Sequence, residues 1–108
     1  MARVLALVSD LMLASRVEAP LAAAGHEVTV SSDPGAEAGS YDVVVADLEL
    51  VDPALIAAAG PPAIGFYSHV DVATRRRAEA AGLDLVVPRS RMARELPELV
   101  AAVLERGR

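Results

Sequence analysis

The 108-residue chain contains no cysteine, no lysine and no tryptophan, and each absence removes a class of function. Without cysteine there is no disulfide framework, no thiol nucleophile and no thiolate metal site. Because all ten basic residues are arginine, no Schiff-base lysine or phosphate-binding lysine is available. Aromatic residues make up only 3% of the chain, so surfaces on which the bases of single-stranded nucleic acid could stack are scarce.

Net charge and hydropathy bear on the partners, the number of domains and the location of the protein. The formal net charge is −5 at pH 7, which disfavours nucleic acid as a partner because such binding is built from many cationic contacts. Apolar residues make up 54% of the chain, and at this length they suffice for one core, so we expect a single domain over residues 1–108. We find neither a signal peptide nor an apolar run of roughly 20 residues, and we expect a cytoplasmic protein with no membrane contact.

Buried or alternating apolar runs predict five strands, over residues 4–8, 26–30, 41–47, 63–67 and 83–87. Helical segments are predicted over residues 11–24, 53–59, 71–81 and 97–106, with 89–95 as a connector or a helical turn. Gly25 closes the first helix and Asp52 caps the next one, while Pro20 predicts a kink or a break. Strands that alternate with helices predict an α/β fold with a parallel sheet between two helical layers.

Residues able to contact a phosphoryl group or a cation follow four of the five strands. They are Ser9 and Asp10 after the first strand, Asp47 after the third, Ser68 after the fourth and Arg89 after the fifth. Ligands of open parallel sheets bind at the carboxyl ends of the strands, where these residues are expected to meet. Carboxylate oxygens suit Mg²⁺, and a hydroxyl and a guanidinium suit phosphate oxygens.

The segment YDVVVAD at 41–47, the positions of Ser68 and Arg89, and the Ala-Ala-Gly turn at 80–82 together resemble the receiver domain of bacterial response regulators. The resemblance covers nearly the whole chain in order and spacing. It implies the flavodoxin-like fold, a five-stranded sheet of order 2-1-3-4-5. Between the second and third strands the chain is rich in Gly, Ser and Pro, so we expect the second helix of that fold to be reduced or missing and the third to be short.

The resemblance also implies roles for individual residues. Asp47 falls on the phosphoacceptor aspartate, Ser68 on the hydroxyl that follows the phosphoryl group, and Arg89 on the family's lysine. Asp10 and Asp47 would bind Mg²⁺, in a weakened site. The implied partners are a histidine kinase or a phosphotransfer protein, which donates the phosphoryl group, and a downstream protein.

The family pattern is altered here in its acid pair and in its lysine. A receiver ends its first strand with two adjacent acids, which here correspond to Val8 and Ser9 or, with a slip of one residue, to Ser9 and Asp10. At most one acid therefore remains, and whether Glu49 supplies the second carboxylate stays open. The family's lysine corresponds to Arg89 or, if the neighbouring proline is the anchor, to Val87.

Each candidate also has a purely structural interpretation. Asp10 could cap the first helix, Asp47 could be a loop carboxylate, and Ser68 could be a turn hydroxyl. His69 is expected to be an exposed loop side chain. The arginines of 75–77 and those at 89, 91 and 94 are expected on solvated surfaces, with a partner or phosphate contact as the alternative.

The sequence therefore predicts a standalone receiver-like signalling domain that acts through protein contacts, with Asp47 as phosphoacceptor. One alternative is a pseudo-receiver that works without phosphorylation, and another is a small flavodoxin-like ligand-binding protein. We expect no enzyme, because no catalytic triad or nucleophile elbow is recognisable. A homodimer through the thinly covered flank of the sheet is expected as well.

Overall fold

Short aliphatic and β-branched runs form five strands, and alanine- and leucine-rich segments form the helices between them. The computed structural model describes residues 2–33, 37–68 and 72–106. In chain order the elements are β1 (Arg3–Leu7), α1 (Leu11–Ala23), β2 (Glu27–Ser31), β3 (Val43–Asp47), α2 (Pro53–Ala58), β4 (Ala63–Tyr67), α3 (Val72–Ala81), β5 (Leu85–Pro88) and α4 (Arg89–Arg106). The strands are parallel, in the order β2-β1-β3-β4-β5. The predicted fold class and strand order are confirmed.

The sheet separates two apolar cores, because neighbouring residues of a strand face opposite sides. On one side, residues such as Val4 and Val45 pack against α1 and α4. On the other side, residues such as Leu5 and Val44 pack with residues of α2 and α3. All four of these strand residues are 1% exposed or less, so both layers of helices are needed to cover the sheet.

Between β2 and β3 the described residues, 32–33 and 37–42, form no helix, as the sequence predicts. Ala38 and Tyr41 pack against the core there in place of a helix. Arg3 holds the segment: its guanidinium donates to the carbonyl oxygen of Ser40 at 2.9 Å and lies 5.0 Å from the centre of the Tyr41 ring. A cation over an aromatic face at that distance is an attractive contact.

The strand at this edge of the sheet is polar on the side that lacks the helix. Thr29 and Ser31 of β2 are paired in register with Leu5 and Leu7 of β1 and share their side of the sheet. The two leucines are buried, whereas Thr29 is exposed and Ser31 is half-buried. The reduced helix therefore leaves no apolar surface on this part of β2.

Of the two alternatives for 89–95, the connector is wrong and the helical one is right, because α4 runs without interruption from Arg89 to Arg106 through Pro97. A proline inside a helix costs about 3 kcal/mol. On both sides of Pro97, however, α4 buries one stripe of large side chains, including Met92 and Leu96, each 0% exposed. Full burial of each such side chain is worth about 1.5–3 kcal/mol, so the stripe outweighs the proline.

The first helix is likewise continuous through Pro20, between the buried residues Val17 and Leu21. The predicted end signals are confirmed: Gly25 has φ 92°, and Asp52 caps α2 through a bond from the N–H of Ala54 at 2.9 Å. Gly65 in β4 is needed for close packing, since a Cβ there would lie 2.9 Å from a methyl of Leu48.

Candidate functional site

The carboxyl ends of the strands bring the candidate residues to one edge of the sheet. Asp47 is the last residue of β3, Ser68 follows β4, and Arg89 follows β5 and opens α4. Asp47 pairs in register with Phe66, and Tyr67 pairs with Pro88. Ser68 and Arg89 therefore lie at the same level of the sheet, each one residue beyond the pair of Tyr67 and Pro88.

Asp47 is a half-buried carboxyl within reach of several charges. Burial, which penalises the charged form, is the main cause that raises the pKa of Asp47 above its ordinary value of 3.8. The hydrogen bond from the main-chain N–H of Glu49 to Oδ1, at 2.9 Å, opposes this shift. The negative charges of Glu49 and Asp10 also raise the pKa, and the positive charge of Arg89 lowers it.

The main chain after Asp47 forms a tight turn. The carbonyl oxygen of Asp47 accepts bonds from the N–H groups of Leu50 and Val51, at 3.0 and 3.1 Å. Together with the bond from Glu49 to its side chain, these contacts give Asp47 the structural role of a loop carboxylate as well. The turn fixes the direction of the carboxyl group at the mouth of the sheet.

Asp10 caps α1. Its Oδ1 accepts hydrogen bonds from the N–H groups of Met12 and Leu13, at 2.8 and 3.2 Å. The structural interpretation of this residue is therefore confirmed, while its charge still reaches Asp47. The two residues before it, Val8 and Ser9, have no carboxyl group and add no carboxylate to the site; Val8 is buried and Ser9 is exposed.

Ser68 is paired with Glu49. The Oγ of Ser68 donates a hydrogen bond to Oε1 of Glu49, and both residues are exposed. The sequence marks Glu49 only as a replacement carboxylate for the metal site. Its partnership with Ser68 is not predicted, although the parallel register, once known, would show it: two residues beyond the pair of Asp47 and Phe66 lie Glu49 and Ser68.

Arg89 supplies the positive charge of the site. It is the first residue of α4 and is half-buried, and its charge acts on Asp47. Val87, which the alternative alignment puts in the place of the family's lysine, is 0% exposed inside β5. Arg89 is therefore the cation that lies at this edge.

Asp10 and Asp47 are the carboxylates that could share a divalent cation. Within residues 2–33, 37–68 and 72–106, no group of three or more acids or histidines could hold a metal ion. Mg²⁺, however, ordinarily takes one or two carboxylates and completes its shell with phosphate oxygens and water. The repulsion between Asp10 and Asp47, which raises the pKa of Asp47, is also what a cation would relieve. Asp10 and Asp47 are thus the residues that could hold Mg²⁺ here, and the weakened site stays a prediction.

The remaining candidates lie away from this cluster or outside the described residues. His69 falls outside them. Arg75, Arg76 and Arg77 are exposed on α3, and Arg75 pairs with Glu79 at 3.3 Å. Arg91 and Arg94 lie 3.6 and 3.7 Å from the carboxylate of Glu95, which offsets part of their charge. The apolar stripe of 99–104 on α4 packs into the core.

Comparison with solved structures identifies the fold. NtrX from Brucella abortus, in complex with ADP, is 19% identical with a TM-score of 0.84; the match covers 96% of this chain but only 26% of NtrX. A CheY-like receiver domain protein from Methanospirillum hungatei is 19% identical with a TM-score of 0.85, over 98% of this chain and 95% of that one. A response regulator from Burkholderia multivorans is 29% identical with a TM-score of 0.72, over 94% of each chain.

No protein-family model and no curated protein matches the sequence. In the described part of the chain, every helix is too short or too polar to cross a membrane. The resemblance found in the sequence is confirmed by structures that match nearly from end to end. The chain has the fold of the receiver domains of response regulators.

Proposed function

We propose that this chain is a receiver-like signalling domain that accepts a phosphoryl group on Asp47 and acts through contact with a partner protein. The surroundings of Asp47 carry the proposal: a half-buried carboxyl at the carboxyl end of β3, with a cation, Arg89, in electrostatic reach. Ser68 lies at the end of the neighbouring strand β4. This set matches the residues that the resemblance assigns to phosphoryl transfer.

In the proposed reaction, an oxygen of the Asp47 carboxylate attacks the phosphorus of the donor. The bond between phosphorus and the donor's leaving atom breaks, and an acyl phosphate forms on Asp47. The guanidinium of Arg89 and the hydroxyl of Ser68 donate hydrogen bonds to the phosphoryl oxygens. Asp10 and Asp47 would hold Mg²⁺, which supplies positive charge against the charge of the donor. Because the chain itself is modified, we propose a phosphoprotein and not an enzyme.

The proposed donor is a histidine kinase or a phosphotransfer protein, from which a histidine nitrogen leaves. The first turn of α1, directly after Asp10, carries Leu11 and Met12, which are 87% and 73% exposed. Large apolar side chains this exposed beside the site favour a protein as the donor. Self-association through the edge strand β2 also stays a prediction.

The test is phosphorylation by acetyl phosphate with Mg²⁺, measured by intact mass. We expect wild-type protein to gain one phosphoryl group and Asp47→Ala to gain none. Asp42→Ala is the matched control, since Asp42 lies beside the same strand at its other end, and this variant should react as wild type does. A folded wild-type protein that gains no mass would contradict the proposal.

That negative result would favour the second candidate function, a pseudo-receiver that binds its partner without phosphorylation. Two observations favour this alternative: the carboxylate of Asp10 is engaged in capping α1, and Ser9 replaces one of the acids. The chain spans about a quarter of the length of NtrX, at 26%. For either candidate function, we propose that the effect of the domain is exerted through a larger protein.

A further inference from the structure

Glu49 contacts both Asp47 and Ser68. Its main-chain N–H donates to Oδ1 of Asp47 at 2.9 Å, and its carboxylate accepts the hydrogen bond from the Ser68 hydroxyl. The residue therefore ties the turn after β3 to the end of β4, across the mouth of the proposed site. The carboxylate of Glu49 thus binds the same hydroxyl that the proposed function assigns to the phosphoryl group.

The hydroxyl of Ser68 has one proton to donate. While that proton is donated to Glu49, it is not available to an oxygen of a phosphoryl group. The two acceptors therefore exclude each other at Ser68, and one must be released before the other can be bound. The charge of Glu49 already acts on Asp47, whose pKa it helps to raise, and like charges would also repel an incoming phosphate.

We propose that Glu49 is an internal competitor of the phosphoryl group: it occupies the Ser68 hydroxyl and limits the rate at which Asp47 is phosphorylated. The proposal rests on the proposed function of Asp47. It makes Glu49 a positioning residue that acts through Ser68 and through its charge, and it does not require Glu49 to touch the donor.

The first experiment compares the rates of phosphorylation by acetyl phosphate with Mg²⁺. We expect Glu49→Ala to react about tenfold faster than wild type, the size expected for the loss of one hydrogen bond to a charged group. Glu49→Gln, which keeps an oxygen acceptor but removes the charge, should lie between the two. Asp52→Asn is the matched control: it removes one charge near the same turn while asparagine still caps α2, and its rate should equal that of wild type.

A double-mutant cycle with Ser68→Ala separates the contact from the charge. If Glu49 acts by holding Ser68, then Glu49→Ala should accelerate the reaction less in the Ser68→Ala background than in wild type. The part of the acceleration that remains in that background should shrink as salt is added, because salt screens exposed charges. A merely structural role of Glu49 would produce neither pattern.

The outcomes separate this proposal from the proposed function. A wild-type protein that is phosphorylated, with Glu49→Ala no faster, overturns the competitor role and leaves Asp47 as phosphoacceptor. No phosphorylation of any variant overturns both.

Discussion

The two ends of the sheet differ in how their acidic side chains affect one another. At the amino ends of the strands, Asp42 and Asp84 accept hydrogen bonds from main-chain N–H groups, those of Arg3 and Ala63, at 2.8 Å each. His26 does the same for the N–H of Ala2, at 3.1 Å. Each of these side chains stands directly before a strand and binds the start of the neighbouring strand.

Main-chain hydrogen bonds join the same residues in the opposite direction at this end. The N–H of Asp42 donates to the carbonyl oxygen of Arg3 at 2.8 Å, and the N–H of Asp84 donates to that of Ala63 at 3.1 Å. Each aspartate thus closes a reciprocal pair of bonds across two strands. An acid in this setting stabilises the native state, since its carboxylate is an acceptor for groups that would otherwise lose their partners.

At the carboxyl ends, Asp10 and Asp47 also accept main-chain hydrogen bonds, but there the charges of the acids act on one another as well. Asp47 loses hydration by burial, and the charges of Asp10 and Glu49 oppose its ionisation. A carboxyl whose pKa is raised in this way weakens the folded state once it is ionised. The comparison teaches that acids at the amino ends bind neighbouring strands, whereas Asp47 at the carboxyl end is ionised at a cost that a bound cation would lower.

The largest effect on stability is expected for Asp84→Ala. Ala63 is 2% exposed, so the variant leaves its N–H without an acceptor in a place that water hardly reaches. We expect the free energy of unfolding to fall by about 2 kcal/mol, measured by urea denaturation. Glu98→Ala, which removes an exposed acid from α4, is the control and should change stability little. A variant as stable as wild type would show that the amino end has no special role.

Much of this architecture could be predicted from local signals. Gly25 and Asp52 mark helix ends because each position needs a particular main-chain geometry or acceptor, and such needs are visible in the residue type. The continuity of α4 is not predicted, because Pro97 inside it predicts an interruption. Burial of Met92 and Leu96, which depends on the rest of the fold, outweighs that local preference.

A smaller loss is expected for Asp42→Ala. This aspartate and Arg3 are both exposed, so water can replace part of the missing hydrogen bond. We expect a fall of about 1 kcal/mol in the free energy of unfolding, by the same denaturation experiment. A loss greater than that of Asp84→Ala would contradict the importance of burial in this comparison.

The contacts of the candidate site were harder to predict than its members. The ends of parallel strands meet at one edge, and this rule alone selects Asp47, Ser68 and Arg89. The bond between Glu49 and Ser68 depends on the register of β3 against β4, which no residue in either strand reveals. Asp42 and Asp84 likewise give no sign in the sequence that they bind neighbouring strands.

The smallest change, and one of opposite sign, is expected for Asp47→Asn. Because the folded pKa is raised above 3.8, the folded protein binds this proton more tightly than the unfolded chain. The resulting stability is complete below the unfolded pKa and is lost as pH rises through the folded one. Asparagine keeps an oxygen for the N–H of Glu49 but carries no charge. The free energy of unfolding of the variant should therefore rise relative to that of wild type as pH rises from about 4 to about 7.

Urea denaturation across that pH range measures the difference. Asp42→Asn, at the other end of β3, is the matched control and should show no gain. If Asp47→Asn were less stable than wild type near neutral pH, Asp47 would be a stabilising acid like Asp42 and Asp84. The contrast between the two ends would then fail, because the charge of Asp47 would not destabilise the folded state.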